Sequence, residues 1–195
     1  MYRIACFFIL ITLCVACKQD LRLFGEDPVT TLKEFGKKNP EKTIVVTTRE
    51  GNFTIRLYDE TPLHRANFIR LVKGGFYSER YFYRNVYETA IQGGAGWYGL
   101  DYDIPTEVLP NYTHKRGAVS MAQYDVKDNP KLDTSSSEFF IVTDTEQAEK
   151  FNGIYTVVGE VVSGMEVVDK IKKARAYNEV PELPVKFSME LIDHP

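Results

Sequence analysis

From Thr43 onward, the order of apolar and polar residues is typical of β-strands. Residues 43–48 are all β-branched, and after Glu50-Gly51-Asn52 the run from Asn52 to Tyr58 places its apolar residues at every second position. β-branched residues and a two-residue period both favour strands with one buried face. The two runs therefore predict a β-hairpin with its turn near Gly51.

A helical pattern follows this hairpin. Thr61-Pro62 provides an N-cap and a proline at the first helical position, and apolar residues recur at helical spacing until Gly74-Gly75. A shorter helical pattern extends from Met165 to Lys173. Runs rich in β-branched and aromatic residues cover 81–86, 117–121, 138–142, 155–162 and 185–192. Many antiparallel strands with two helices predict a closed barrel or a sandwich.

The N-terminus has a different pattern, with a mainly apolar run from Ile4 to Val15. A membrane-spanning helix needs roughly 20 apolar residues, so this run predicts a signal peptide, residues 1–16. The sequence Cys14-Val15-Ala16-Cys17 resembles the lipobox of bacterial lipoproteins, which usually carries leucine where Cys14 stands. The resemblance implies lipidation of Cys17 and a lipid anchor in the bacterial cell envelope, with the domain on the periplasmic side. The alternative is an ordinary secretory signal with incidental cysteines.

The segment that follows, residues 17–42, combines the lipidated cysteine with a predicted tether. It is rich in charge, and its apolar pattern is weak. Such a segment is expected to bury little area and to hold the domain away from the membrane. A short helix around Thr31 to Phe35 is compatible with the pattern.

Composition narrows the classes of function. The 195 residues are 44% hydrophobic and 26% charged, which suits one well-buried domain. The 24 Lys and Arg residues are scattered among 27 acidic ones, and the formal net charge is −3. The sequence therefore lacks the basic stripe of a nucleic-acid-binding protein, and nucleic acid is not an expected partner.

Side chains that bind metals or act as nucleophiles are few and scattered. All three cysteines, Cys6, Cys14 and Cys17, lie within the first 17 residues, so no disulfide or cysteine site is expected in the domain that follows. The histidines show no zinc-binding spacing and are expected to be surface or loop residues: His64, His114 and His194. No phosphate loop or dinucleotide fingerprint occurs. The sequence thus predicts neither a metal nor a cofactor.

Seven stretches of the chain carry the residues of one known family in that family's order: Asn67–Tyr77, Phe82–Val86, Ile91–Gly94, Gly117–Ala122, Ser137–Ile141, Phe151–Val161 and Gly164–Ile171. They resemble the cyclophilin-type peptidyl-prolyl cis-trans isomerases. The resemblance implies that residues 43–195 form a closed eight-stranded antiparallel β-barrel, mainly β with two capping helices, and an active groove on the outer surface. It also implies proline-containing polypeptides as partners and a role in protein folding in the cell envelope.

The resemblance assigns roles to individual residues. Arg84 matches the catalytic arginine, and Gln92 matches the glutamine that binds the substrate backbone and holds that arginine. The remaining substrate-binding positions are Met121, Ala122, Gln123, Phe140, Phe151 and Tyr155. Among them, Ala122 and Gln123 match the stretch that pairs with an extended peptide, and Phe140 matches a wall of the proline pocket.

Three residues depart from the family pattern. Thr89 and Ala90 replace a phenylalanine and a methionine that line the proline pocket, and Glu138 replaces a glutamine. The smaller wall is expected to weaken proline binding, and a carboxylate at 138 suggests an ion pair with Arg84 that would orient or restrain the guanidinium. Two functions follow: an active prolyl isomerase, or a catalytically weak cyclophilin-like module that binds extended proline-containing peptides.

Overall fold

Antiparallel strands form most of the domain. The protein is described by a computed structural model covering residues 20–96, 99–124 and 127–192. Its strands are β1 Thr43–Thr48, β2 Gly51–Leu57, β3 Arg80–Val86, β4 Ala90–Gly94, β5 Asp103–Ile104, β6 Ala118–Gln123, β7 Thr134–Val142, β8 Val157–Ser163, β9 Ala176–Tyr177, β10 Val180–Pro181 and β11 Val185–Leu191. Its helices are α1 Pro28–Lys38, α2 Pro62–Lys73, α3 Thr145–Ala148 and α4 Met165–Lys172, and a 3-10 turn, Glu149–Phe151, follows α3. The predicted signal peptide, Cys17 and His194 lie outside the described residues.

Eight of the strands close into a barrel. Their order is β4-β3-β11-β1-β2-β8-β6-β7, and β7 pairs back with β4, which completes the ring. The two-residue strand β5 pairs with the edge of β7, and β9 and β10 form a separate hairpin. The predicted closed eight-stranded antiparallel barrel is therefore confirmed, and closure leaves these eight strands without a free edge.

The barrel interior is filled by alternate side chains of its strands. On β2, for example, Phe53, Ile55 and Leu57 are buried, as the two-residue period predicted. Aromatic rings fill part of the interior, where the Phe82 and Phe187 rings lie 4.6 Å apart with Phe139 packed edge-on against both. Burial of these rings together with the surrounding aliphatic side chains stabilises the barrel.

The first predicted helix is correct in position, but its N-terminus is satisfied in another way. Thr61 precedes α2 without capping it through its side chain. Instead, the Glu107 carboxylate accepts hydrogen bonds from the backbone N–H groups of Leu63, at 3.1 Å, and His64, at 3.0 Å. A residue that is distant in sequence thus satisfies the free N–H groups of the first helical turn.

The prediction that residues 17–42 form a tether with little burial is wrong for residues 20–42. Leu21, Leu23 and Leu32 are buried, and α1 packs against α2, where a Cβ built on Gly36 would lie 3.0 Å from that of Ala66. α1 is also longer than the short helix compatible with the sequence. The apolar pattern of residues 20–42 is weak because few of their side chains face the domain, and the partners of Leu32, such as Tyr102 and Ile104, lie far away in sequence.

Two smaller expectations are also corrected. His64 lies buried in α2, whereas the sequence predicted a surface or loop position. His114 lies in a loop, as predicted, but is buried. Each ring nitrogen of the two residues has a hydrogen-bonding neighbour. Beyond α1 and the two expected helices, the structure adds the short helix α3. Over the described ranges, no helix is long and apolar enough to cross a membrane.

Candidate active site

Three neighbouring strands bring together the main residues of the predicted site. Arg84 on β3 is directly opposite Gln92 on β4, and Gln92 is opposite Phe140 on β7. Ile91 precedes Gln92 and Phe139 precedes Phe140, and both Ile91 and Phe139 point into the barrel core. Since successive side chains on a strand point to opposite faces, Gln92 and Phe140 lie on the outer surface of the barrel.

These residues line a cavity of about 300 Å³, which we call the groove cavity. Its lining consists of Arg84, Val86, Ala90, Gln92, Ala122, Gln123, Phe140, Lys150, Phe151 and Tyr155. The structure thus brings together most residues that the sequence assigned to the catalytic and substrate-binding groups. A cavity with mostly apolar walls and a few polar groups is the usual form of a small ligand site.

Arg84 is the polar centre of the groove cavity. Its side chain is about half exposed, at 46%, and its Nη1 atom donates to Oε1 of Gln92 at 3.1 Å. Its Nε atom donates to Oε2 of Glu179 at 2.7 Å. Two partners therefore orient the guanidinium, and one of them, Glu179, was not found from the sequence.

The expected ion pair between Arg84 and Glu138 does not form. Glu138 instead accepts hydrogen bonds from the hydroxyl of Tyr83 and from the backbone N–H of Gly96, the latter at 2.8 Å. The Tyr83 hydroxyl in turn accepts a hydrogen bond from Nε2 of Gln92 at 3.0 Å. Glu138 therefore reaches Arg84 only indirectly, through Tyr83 and Gln92.

Burial controls the ionisation of this chain of polar groups. It raises the pKa of Glu138 above its ordinary value, although hydrogen bonds from Tyr83 and Gly96 act in the opposite direction. Burial and the neighbouring Glu138 also raise the pKa of Tyr83. Tyr83 therefore keeps its proton at physiological pH and remains a donor to Glu138.

An aromatic cluster forms another part of the groove cavity. The Phe140 ring lies 5.7 Å from that of Phe151 and 5.5 Å from that of Tyr155, both edge-on. The His114 ring stacks against Phe140 at 5.9 Å from outside the cavity lining. Burial lowers the pKa of His114, although the Asn152 amide oxygen opposes the shift. The cluster is thus an apolar surface suited to a proline ring.

The end of β6 supplies polar groups that suit a peptide backbone. The pairing of β6 with β7 shifts between Met121 and Gln123, so Ala122 has no partner residue in the ladder. The Oε1 atom of Gln123 is buried and accepts no hydrogen bond from any described residue. A buried acceptor without a partner is uncommon, because burial removes its bonds to water.

Besides Glu138, two other predicted residues do not line the groove cavity. Met121 lies in the barrel core, so its side chain is not a substrate contact. Thr89 is buried below the surface, where its hydroxyl donates to the Tyr87 carbonyl at 2.7 Å. Of the two residues that depart from the family pattern here, only Ala90 forms part of the wall.

Two lining residues were not found from the sequence. Val86 and Lys150 line the cavity, and the Lys150 ammonium lies 5.5 Å from the centre of the Phe151 ring. Val86 is the last residue of the matched stretch Phe82–Val86, and strand alternation places it on the same face as Arg84, so this signal was available. Lys150 carried none, because it lies in a short turn between α3 and β8.

The polar groups of the site suit chemistry that needs only binding and hydrogen bonding. A guanidinium stays protonated at physiological pH and presents several N–H donors in a fixed plane. Across residues 20–96, 99–124 and 127–192, no three His, Cys, Asp or Glu side chains cluster in a way that would hold a metal ion. The groove cavity thus combines the cationic side chain of Arg84, the aromatic cluster and the polar groups at the end of β6 that suit a peptide backbone.

Comparison with known proteins identifies a common family. The sequence model described as "Cyclophilin type peptidyl-prolyl cis-trans isomerase/CLD" matches residues 43–189. A probable peptidyl-prolyl cis-trans isomerase of Brucella suis biovar 1 (strain 1330) is 34% identical over 173 residues, covering 80% of this chain and 84% of the relative. The peptidyl-prolyl cis-trans isomerase of Helicobacter pylori (strain ATCC 700392 / 26695) is 34% identical over 157 residues, or 75% of this chain and 91% of the relative.

Solved structures agree on the fold. A cyclophilin type peptidyl-prolyl cis-trans isomerase of Cryptosporidium parvum has a TM-score of 0.71 at 24% identity, covering 80% of this chain and 99% of that chain. The same protein, solved in the presence of the dipeptide Ala-Pro, has a TM-score of 0.70 at 23% identity, covering 78% and 100%. At these identities the likeness concerns the fold alone.

Proposed function

The chain belongs to the cyclophilin-type peptidyl-prolyl cis-trans isomerase family, and from that premise we propose that Arg84 promotes rotation of X-Pro bonds held in the groove cavity. The enzyme class itself follows from the family and from the relatives. The role of Arg84 is supported by the chemistry of the amide bond and by the geometry around its guanidinium.

A prolyl amide resists rotation because its nitrogen shares a lone pair with the carbonyl group, giving a barrier of ~18–20 kcal/mol. The barrier falls if the nitrogen becomes pyramidal and its lone pair accepts a hydrogen bond. The guanidinium of Arg84 supplies a permanently charged donor for this purpose. Neither a nucleophile nor a cofactor takes part in such a reaction.

Magnitudes indicate that the rest of the cavity must contribute. An acceleration of about ten-thousandfold needs about 5.5 kcal/mol of preferential transition-state binding, whereas one hydrogen bond to a charged group is worth roughly 1.5–3 kcal/mol. The aromatic cluster would hold the proline ring, and Gln92 would bind the substrate backbone. Fixing the ring and the backbone leaves rotation about the amide as the main remaining freedom.

One observation carries the proposal: Arg84, already oriented by Gln92, lies in the same cavity as Phe140, Phe151 and Tyr155. The unpartnered Oε1 atom of Gln123 supports it further, because an extended peptide could donate a backbone N–H to that atom. The solved relative studied with Ala-Pro fits a proline-containing polypeptide as substrate.

The second candidate is a cyclophilin-like module that binds extended proline-containing peptides with little catalysis. It is favoured by Ala90, whose small side chain stands where the family pattern has methionine and leaves less apolar wall beside the proline. Val86 still contributes an apolar side chain to the wall of the same cavity. We therefore place the enzyme first.

A protease-coupled assay separates the two candidates. Tetrapeptides with different residues before proline are incubated with and without the protein, and peptide binding is measured by titration under the same conditions. The enzyme should accelerate isomerisation well above the buffer rate for several peptides. Binding with rates equal to those in buffer across the series would favour the binding module.

We further propose that the protein assists folding in the bacterial cell envelope as a lipoprotein anchored through Cys17. The apolar run before Ala16 and the small residue before Cys17 support this location. Labelled palmitate should be incorporated into the wild-type protein in a bacterial host and not into Cys17→Ser. Equal incorporation into both would contradict the anchor and leave the isomerase proposal unaffected.

A further inference from the structure

The hairpin formed by β9 and β10 lies beside the groove and carries an unusual turn. Tyr177 pairs with Val180, so Asn178 and Glu179 are the two central residues of the turn. Both have positive φ angles, +47° and +67°. A two-residue turn of this kind suits asparagine followed by glycine, because the left-handed region crowds the Cβ atom of other residues. Glu179 therefore occupies a position where glycine would fit better.

The side chain of Glu179 is used fully in this conformation. Its Oε2 atom accepts a hydrogen bond from Nε of Arg84 at 2.7 Å and lies 2.7 Å from Nη2 of the same guanidinium, within ion-pair distance. Its Oε1 atom accepts from the backbone N–H of Tyr87 at 3.1 Å. One carboxylate thus connects the guanidinium to the backbone just beyond β3.

The backbone of the turn is fixed to the same strand. The Glu179 carbonyl accepts a hydrogen bond from the N–H of Asn85, the neighbour of Arg84, at 2.7 Å. The side chain of Asn85 donates to the carbonyl of Lys172 at 3.1 Å, which connects the strand to the end of α4. The Glu179 side chain is 18% exposed, so this contact is better shielded from water than an ordinary surface ion pair.

The remaining donors of Arg84 show what this arrangement achieves. A guanidinium has five N–H groups. Glu179 accepts a hydrogen bond from the N–H on Nε, and Gln92 accepts one from an N–H on Nη1. At least one N–H on each terminal nitrogen is therefore left for a substrate, in a plane fixed by two partners. Holding a donor in its reactive orientation before the substrate arrives is a main source of catalysis.

We propose that Glu179 is the positioning residue for Arg84 and that the β9–β10 turn retains a carboxylate at a glycine-like position for this purpose. This inference rests on the proposed function, because it assumes that Arg84 acts on the prolyl bond. A residue held in an unfavourable backbone conformation at a functional site is consistent with selection for activity over stability.

Substitution by glycine tests the inference directly, since it removes the carboxylate and relieves the turn. Glu179→Gly should keep or raise the melting temperature, while kcat falls about tenfold, the loss expected when one charged hydrogen-bond partner is removed. Glu179→Gln should lower kcat by a similar factor, because its single amide oxygen cannot accept hydrogen bonds from both Arg84 and the backbone N–H of Tyr87. Peptide affinity should change less than about twofold, because Glu179 does not line the groove cavity.

Two controls match these variants. Asn178→Gly relieves the same turn but leaves the carboxylate, so it should keep the wild-type kcat. Glu182→Gln removes a carboxylate from the same hairpin region, where Glu182 pairs with Arg175 at the exposed surface. It should also keep the wild-type kcat. Both kcat and peptide affinity are measured by NMR exchange between the cis and trans forms of an Ala-Ala-Pro-Phe peptide.

Combination with Arg84→Ala separates positioning from a general structural role. Glu179→Gly should cause no further loss of turnover when Arg84 is already alanine. Wild-type or faster turnover in Glu179→Gly, or an equal loss in both backgrounds, would overturn the inference while leaving Arg84 as the catalytic group. Wild-type turnover in Arg84→Ala would overturn both the inference and the proposed role of Arg84.

Discussion

Replacement of Leu32 by alanine tests whether the segment before the barrel is an integral part of the domain. Leu32 lies on α1 and is fully buried, at 0% exposure, in a cluster with Leu23, Leu63, Tyr102 and Ile104. The substitution removes three carbon atoms from this cluster. At about 0.8 kcal/mol for each buried methylene-sized group, the loss is about 2.4 kcal/mol before any cavity cost.

The remaining cavity adds to that loss, so Leu32→Ala should lower the free energy of unfolding by about 2–4 kcal/mol. Lys33→Ala is the matched control, because Lys33 is exposed on the same helix and its replacement should change stability by less than about 0.5 kcal/mol. Urea denaturation followed by circular dichroism measures both variants. A loss for Leu32→Ala no larger than that for Lys33→Ala would show that α1 does not pack on the domain in solution.

Three further predictions concern ionisable and unpaired groups around the groove. Burial raises the pKa of Glu138, so its contribution to stability is fully present below the unfolded pKa of about 4.5 and is lost as pH rises through the raised folded pKa. Glu138→Gln should therefore become more stable relative to the wild type between pH 4 and pH 7, as measured by urea unfolding. A stability difference that stays constant over this range would contradict the prediction. Burial lowers the pKa of His114 below 6.5, so the stability that it contributes above that pH is lost as pH falls through the folded pKa. His114→Gln should therefore lose less stability than the wild type between pH 7.5 and pH 5. An equal loss in both proteins would exclude His114 as the cause. Gln123→Leu removes the buried unpartnered oxygen, so it should preserve or raise stability while weakening the binding of proline peptides by about tenfold. Titration calorimetry measures the affinity, and an unchanged value would mean that this oxygen does not bind substrate.

Much of the barrel could be predicted from the sequence, because its signals are local. The hairpin of β1 and β2 follows from β-branched residues and a two-residue period, and α2 from its proline and apolar spacing. β4 was not predicted as a strand from periodicity, because its five residues end in two glycines. The strand pairs on both sides, with β3 and β7, and that pairing stabilises it in place of intrinsic propensity.

The parts that the sequence did not reveal depend on contacts between distant residues. Glu179 lies 95 positions from Arg84, and Glu107 lies 44 positions from the helical turn that it caps at Leu63. The burial of Leu32 likewise depends on Tyr102 and Ile104. In each case a single polar or apolar residue in a loop or short helix has no periodic pattern around it, so only the folded chain identifies its partner.

The resemblance to a family located the site but not all of its contacts. Arg84, Gln92 and Phe140 occur together, as that resemblance implied. Met121 and Thr89 were misplaced because a matched sequence position does not state whether a side chain lines the surface. The carboxylate beside Arg84 was expected from Glu138 and comes instead from Glu179. Backbone direction and loop packing decide such details.

The most direct test of the account is the isomerisation rate of an Ala-Ala-Pro-Phe peptide with wild-type protein, Arg84→Lys and Arg84→Ala, each shown to be folded by circular dichroism. Loss of one charged hydrogen bond should lower kcat roughly ten- to hundredfold in Arg84→Ala, with peptide affinity changed by only a few fold. Arg84→Lys should recover little, because an ammonium group lacks the planar donors that Gln92 and Glu179 hold. Wild-type turnover in Arg84→Ala would contradict the central claim that Arg84 promotes the rotation.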